Sequence, residues 1–236
     1  MSNFLSTPAL SAQQKAKTLG IPVLSRSQYL EVAASLFGYE QYKLMKPSLP
    51  GIESGLKRAD AALILDVGSA NRRAYRLLGD DHANFKAAKQ NVELLVDELR
   101  SLPAGPLYMS EDDFYLDHVQ PFYEAHFLSQ LNTNPQVSAE HDKVREHCSR
   151  VEYQDSDFIK PVWVSREVWE VSLGVSIEAP KRTGTHNESD EYLLAWCEAQ
   201  FQKLDRAIVS TRIHFLDARA QATRFYNTTS FGERIL

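Results

Sequence analysis

Apolar residues recur at three- and four-residue spacing through Tyr29, Val32, Ala33, Leu36 and Phe37, which predicts an amphipathic helix capped by Ser25 or Ser27 and ended by Gly38. A shorter helix from Ser11 to Leu19 precedes it, and Tyr39–Lys46 reads as a third. Pro47-Ser48-Leu49-Pro50-Gly51 breaks the pattern. Beyond it come a brief apolar run, Ala61–Leu65, and a helix capped by Asp66 that stops at Gly79. Phe85, Ala88, Val92, Leu95, Val96 and Leu99 place one long helix over Asp81–Ser101. Ser110 caps another, running towards Gln130 with a bend at Pro121, and a further helix is expected from Ser138 to about Arg150. The period then changes. Trp169, Val171, Leu173, Val175 and Ile177 alternate with polar or small residues, the signature of a strand with one buried face. After Ser189, the residues Leu193, Cys197, Phe201 and Leu204 read as helical, and Val209–Phe215 and Ala218–Tyr226 as late strands. The expected fold class is α+β: a three-helix head over residues 1–46, a linker over 47–60, and a body over 61–236 that is helical first and carries a small antiparallel sheet late.

Composition leaves this picture standing. The 236 residues are 43% hydrophobic and 24% charged, which excludes collagen-like, disordered and disulfide-scaffold classes. No 18-residue apolar run suggests a membrane span, and the first dozen residues hold neither Lys nor Arg, so cytoplasmic residence is expected. Two cysteines, Cys148 and Cys197, are expected as reduced, inert thiols. The formal charge of −5 is unevenly spread. Residues 1–50 carry 5 Lys and Arg against 2 acids, whereas residues 110–157 carry 3 against 11. Only the head could approach a nucleic-acid backbone on these terms.

The chain has no glycine-rich phosphate loop, no GxSxG elbow and no HExxH pair. His141, His147 and Cys148 bring metal-ligand chemistry into one stretch, but on a helix His141 and His147 point about 120° apart. Asp113, Asp117 and His118 form a second cluster that an acidic first helical turn explains without an ion. The expectation is no metal, no cofactor and no readable catalytic residue.

Ala34, Gly38 and Leu44 meet the spacing of a helix-turn-helix, in which a small residue lets two helices approach and glycine permits the turn. If such a head bound DNA, Lys15, Lys17, Arg26, Lys43 and Lys46 would hold its phosphates. The residues Ser25-Arg26-Ser27-Gln28-Tyr29-Leu30-Glu31-Val32-Ala33-Ala34-Ser35-Leu36-Phe37-Gly38-Tyr39-Glu40-Gln41-Tyr42 also resemble the short helical segment labelled "glyoxalase-related" in bacterial proteins. The resemblance covers about residues 10–46. It implies a bacterial protein of a mobile or accessory gene set and no activity. On this reading the chain is a non-enzymatic interaction or regulatory protein that docks a protein partner through Tyr29, Phe37, Tyr39 and Tyr42. A nucleic-acid-binding factor using the head and an enzyme with a dispersed site are the alternatives; oligomeric state is left open.

Overall fold

A computed structural model describes residues 4–144, 150–153, 157–158, 160–178, 192–216 and 218–223. The fold is α+β, and the chain divides into two compact units, each assembled from separate stretches. The first comprises residues up to Val119 with Lys160–Trp169 and Phe201–Ile213; the second comprises Gln120–Ile159, Glu170–Gln200 and the residues from His214 onward.

In the first unit, α1 (Ser6–Thr18) packs on α2 (Arg26–Leu36), which Ser25 starts with a reciprocal capping box to Gln28. A single helical turn, α3 (Tyr42–Met45), leads through a 3₁₀ turn into α4 (Leu49–Leu56). Residues 47–56 of the expected linker are therefore helical. Pro50 sits in the first turn of α4, where its missing N–H has no partner to lose, and Ile52, Gly55 and Leu56 are buried. Strand β1 (Ala61–Ile64) is buried throughout and is followed by α5 (Val67–Leu77) and α6 (Phe85–Leu99). Asp66 caps α5 by accepting the Ser69 N–H at 2.8 Å. A 3₁₀ turn at His82–Asn84 shortens the helix expected from Asp81. Strand β2 (Leu107–Tyr108) pairs with β1 in parallel, which makes the sheet mixed rather than purely antiparallel. Helix α7 (Glu111–Phe114) is capped by Ser110.

Residues 1–46 share one core with the rest of the first unit. Leu5, Ala9, Tyr29, Phe37 and Met45 share one continuous core with Val92, Leu95 and Val96 of α6 and with Ile208. Three short helices cannot bury that many aromatic groups alone, so they close on α5 and α6. At the centre of this core Tyr29 Oη bonds Asn91 Oδ1, and Asn91 Nδ2 bonds Pro22 O at 2.9 Å, so the buried polar atoms are satisfied.

In the second unit, α8 (Gln120–Thr133) follows a π-helical turn at Tyr115–Val119. Pro121, which has no N–H to return to Asp117, follows this wider turn in the first turn of α8. Asn134 caps α9 (Pro135–Val144) by accepting the N–H of Gln136 at 3.1 Å. The helix expected to reach Arg150 ends by Val144, residues 145–149 lie outside the described residues, and Arg150 opens β3 (Arg150–Tyr153). Strands β3 and β4 (Asp157–Phe158) pair antiparallel with β5 (Val168–Glu178).

The stretch expected as a helix from Leu193 is a strand, β6 (Tyr192–Asp205). Positions four apart share a face in a strand as well as in a helix, and Leu193, Cys197 and Phe201 satisfy both readings. Ala195 and Ala199 are buried with them, and that period of two is the strand's. Within the second unit β6 pairs antiparallel with β8 (His214–Phe215) and β9 (Arg219–Thr223). Within the first, its far end pairs with β7 (Ile208–Ser210), which also pairs with β1.

Candidate functional site: an arginine-walled cleft in the first unit

The site is built where α2 ends and α5 begins. Gly38 adopts φ +75°, and the amides of Gly38 and Tyr39 return to Ser35 O at 3.0 Å and Ala34 O at 2.8 Å. That turn swings Tyr39, Glu40 and Gln41 across from α5. Two tethers hold the parts together. Asp66 N donates to Leu36 O at 2.8 Å, and Glu31 Oε2 accepts both the Tyr42 N–H at 3.2 Å and an Arg73 guanidinium N–H at 2.9 Å.

The result is a cleft of about 410 Å³, within the size range of small-molecule sites. One wall is α5, presenting Ser69, Arg72, Arg73 and Arg76; the other is Ser35 with the turn from Gly38 to Gln41, and Asp66 lies at the start of α5. No acidic residue occurs on α5, so its three guanidinium groups have no carboxylate on their own helix. Arg73 pairs a terminal nitrogen with Glu31 while its Nε is buried without a partner, and Arg72 donates one bond to Ser69 Oγ at 2.8 Å. Arg76 has no ion pair among the described residues. Positive charge thus converges on an open, water-accessible space that also offers two carboxylates.

Behind the turn lies a buried charged cluster. Trp163 packs its ring against Gly38 and donates Nε1–H to Ile64 O at 3.0 Å. Tyr39 Oη donates to Asp205 Oδ1 at 3.2 Å, and the Arg206 guanidinium sits 4.8 Å from the centre of the Tyr39 ring while its Nε–H bonds Trp163 O at 2.9 Å. Lys203 Nζ donates to Val162 O at 2.9 Å and Arg206 O at 2.6 Å. The register opposite β7 is irregular between Lys203 and Asp205. Burial lowers the Lys203 ammonium to about 7 and raises the carboxyl groups of Asp205 and Glu111. Glu111 also accepts the Val162 N–H. These contacts clamp residues 160–169 beneath the turn that shapes the cleft.

The aromatic residues expected to capture a partner are placed otherwise. Tyr29 and Phe37 are fully buried, and Tyr39 shows only 9% of its surface, its ring spent on Arg206 and its hydroxyl on Asp205. Tyr42 is half-buried under the Lys46 ammonium, 5.4 Å from its ring centre. Only Tyr39 lines the cleft. Of the cations expected to touch DNA, Lys15 is paired with Glu98, Lys17 lies in the last turn of α1, Arg26 opens α2, Lys43 lies on α3, and Lys46 opens the 3₁₀ turn after it. In the place of the second helix of the expected helix-turn-helix lies the single turn of α3, which continues through a 3₁₀ turn into α4. None of these five cations lines the cleft.

Asp113, Asp117 and His118 do not form a group of metal-ligating side chains among the described residues. Asp117 accepts a hydrogen bond from Tyr108 at 3.1 Å, His118 Nε2 bonds Thr211 O at 2.8 Å, and Asp113 is exposed on α7. His147 and Cys148 lie outside the described residues, as does the side chain of His141. Among the described residues no group of three metal-ligating side chains occurs, and no helix is long and apolar enough to cross a membrane. In the second unit burial pushes the Cys197 thiol up to about 12, so it is protonated and unreactive at neutral pH. Sequence reasoning passed over the cleft residues. Arg72 and Arg76, four apart on a helix without acids, were the available signal. No protein-family model matches the chain, and comparisons with curated proteins and with solved structures found no match.

Proposed function

We propose that the protein is a non-enzymatic, cytoplasmic regulatory module that binds an anionic ligand in the cleft beside α5. The observation that carries this reading is the convergence of Arg72, Arg73 and Arg76 on one cleft, with the fork of Arg76 uncommitted. Guanidinium groups offer paired donors that match carboxylate and phosphate oxygens, and a concave wall strengthens such bonds by limiting their exposure to water. The buried cluster around Lys203 and Asp205 supports the reading by fixing the opposite wall, so that little ordering cost falls on binding.

Thermal unfolding with phosphate or citrate at constant ionic strength tests it. Binding to the folded state should raise the melting temperature along a saturating curve, about 2.7 kcal/mol at a hundred times the dissociation constant. In Arg72→Gln/Arg76→Gln the saturating component should vanish and leave only the general salt effect. Equal curves for the two proteins would refute the proposal.

A further inference from the structure

We infer that the anion taken by this cleft is the phosphate monoester of a small hydroxylated compound, of the sugar-phosphate class. The inference rests on the anion-binding reading above and narrows it in two steps, one for each end of the cleft.

The first step concerns charge. Arg72 and Arg76 stand one helical turn apart on α5, so their side chains are neighbours about 5–6 Å apart at Cβ. Arg73, between them in sequence, gives a terminal nitrogen to Glu31, keeps its Nε buried without a partner, and completes the wall. One guanidinium fork satisfies a carboxylate in bidentate fashion. Two adjacent forks suit a group with more oxygens and more charge, and a phosphate monoester is close to a dianion at neutral pH, with three free oxygens. The Ser69 hydroxyl, bonded by Arg72 at 2.8 Å, adds a polar group on the same helix face.

The second step concerns the rest of the lining. A site for a bare anion gains nothing from carboxylates, which repel it. This cleft nevertheless includes Asp66, Glu40 and Gln41. Asp66 spends one oxygen on the Ser69 N–H, and Glu40 has no ion pair among the described residues. Carboxylates and an amide carbonyl are acceptors for the hydroxyl groups of a polyol. A volume of about 410 Å³ leaves room for a body beyond the phosphate itself. Cationic and acidic ends in one cleft therefore describe a ligand with a dianionic end and a hydroxyl-bearing end.

Calorimetric titration of the full chain with ribose 5-phosphate, ribose, inorganic phosphate and succinate tests the inference. Ribose 5-phosphate should bind at least tenfold tighter than inorganic phosphate, and ribose should give no detectable heat. Arg76→Gln should weaken ribose 5-phosphate and inorganic phosphate alike, by tenfold or more. Glu40→Gln should weaken ribose 5-phosphate severalfold and leave inorganic phosphate unchanged. Both positions are exposed, and circular dichroism spectra matching the unaltered protein would show that the fold is retained. Succinate binding as tightly as ribose 5-phosphate would overturn the phosphate assignment while leaving an anion cleft. Ribose 5-phosphate binding no better than inorganic phosphate would overturn the hydroxyl-bearing end. Failure of all three anions to bind would overturn the cleft reading itself.

Discussion

Replacing Gly38 with alanine should destabilise the protein by about 2–5 kcal/mol, the sum of two independent costs. The first is conformational: at φ +75° an L-residue brings its Cβ against its own carbonyl, at about 1–2 kcal/mol. The second is steric. A Cβ at this position would lie 2.5 Å from Trp163 Cβ and 2.7 Å from two atoms of its ring edge. Trp163 cannot retreat freely, because its indole N–H is bonded to Ile64 O and its carbonyl to Arg206. Displacing it costs about 1–3 kcal/mol, as overpacking of a filled interior does. Gly20→Ala is the matched control, since Gly20 has φ +68° and nothing within 4 Å of the added methyl. Chemical denaturation should place Gly38→Ala below Gly20→Ala by the steric cost alone. Equal losses in the two variants would show that Trp163 does not close the floor of the turn.

The second large effect is the dependence of stability on pH through Lys203. Its ammonium falls to about 7 in the folded protein, whereas the unfolded chain holds the proton to about 10.4. Between those values the unfolded state binds more protons, so stability rises with pH, by at most about 1.4 kcal/mol per unit. Below pH 7 both states are protonated and the contribution is constant. Asp205 and Glu111 shift in the other sense: their carboxyl groups are raised by burial, and the stability they contribute when protonated is lost as pH rises through their folded values. Lys203→Met removes the alkaline slope. Denaturation curves for the two proteins should diverge by up to about 4 kcal/mol between pH 7 and 10, whatever constant offset follows from leaving Val162 O and Arg206 O without their donor. Parallel curves across that range would mean that Lys203 keeps its ordinary affinity for the proton.

Local chemistry was the legible part of the fold. Ser25, Asp66 and Ser110 cap the helices they were expected to cap, because a side-chain oxygen three residues before a free amide is a local matter. The alternation from Trp169 to Leu173 likewise shows in the buried face of β5. What failed depended on distant partners. Leu193, Cys197 and Phe201 fit two periods, and the burial of Ala195 and Ala199 that separates them follows from the strands that pair with β6. The aromatic groups of residues 29–42 looked too numerous for a three-helix head, and α5, α6 and residues 160–169 bury or cover them. The cleft itself needed two separated stretches, residues 35–41 and 66–76. Arg72 and Arg76 read as an ordinary solvated helix face until the Gly38 turn comes to face them, and that turn is tied to α5 by Glu31, 42 residues before its partner Arg73.

The central claim, that an anion is held by Arg72 and Arg76, is tested most directly by following the side-chain Nε–Hε resonances of the arginines by nuclear magnetic resonance during titration with inorganic phosphate at constant ionic strength. The account predicts saturable shifts at Arg72 and Arg76 and flat lines for Arg26, Arg58 and Arg100, which lie outside the cleft. Shifts spread evenly over all the arginines, or a saturable response centred on Arg26 instead, would contradict it.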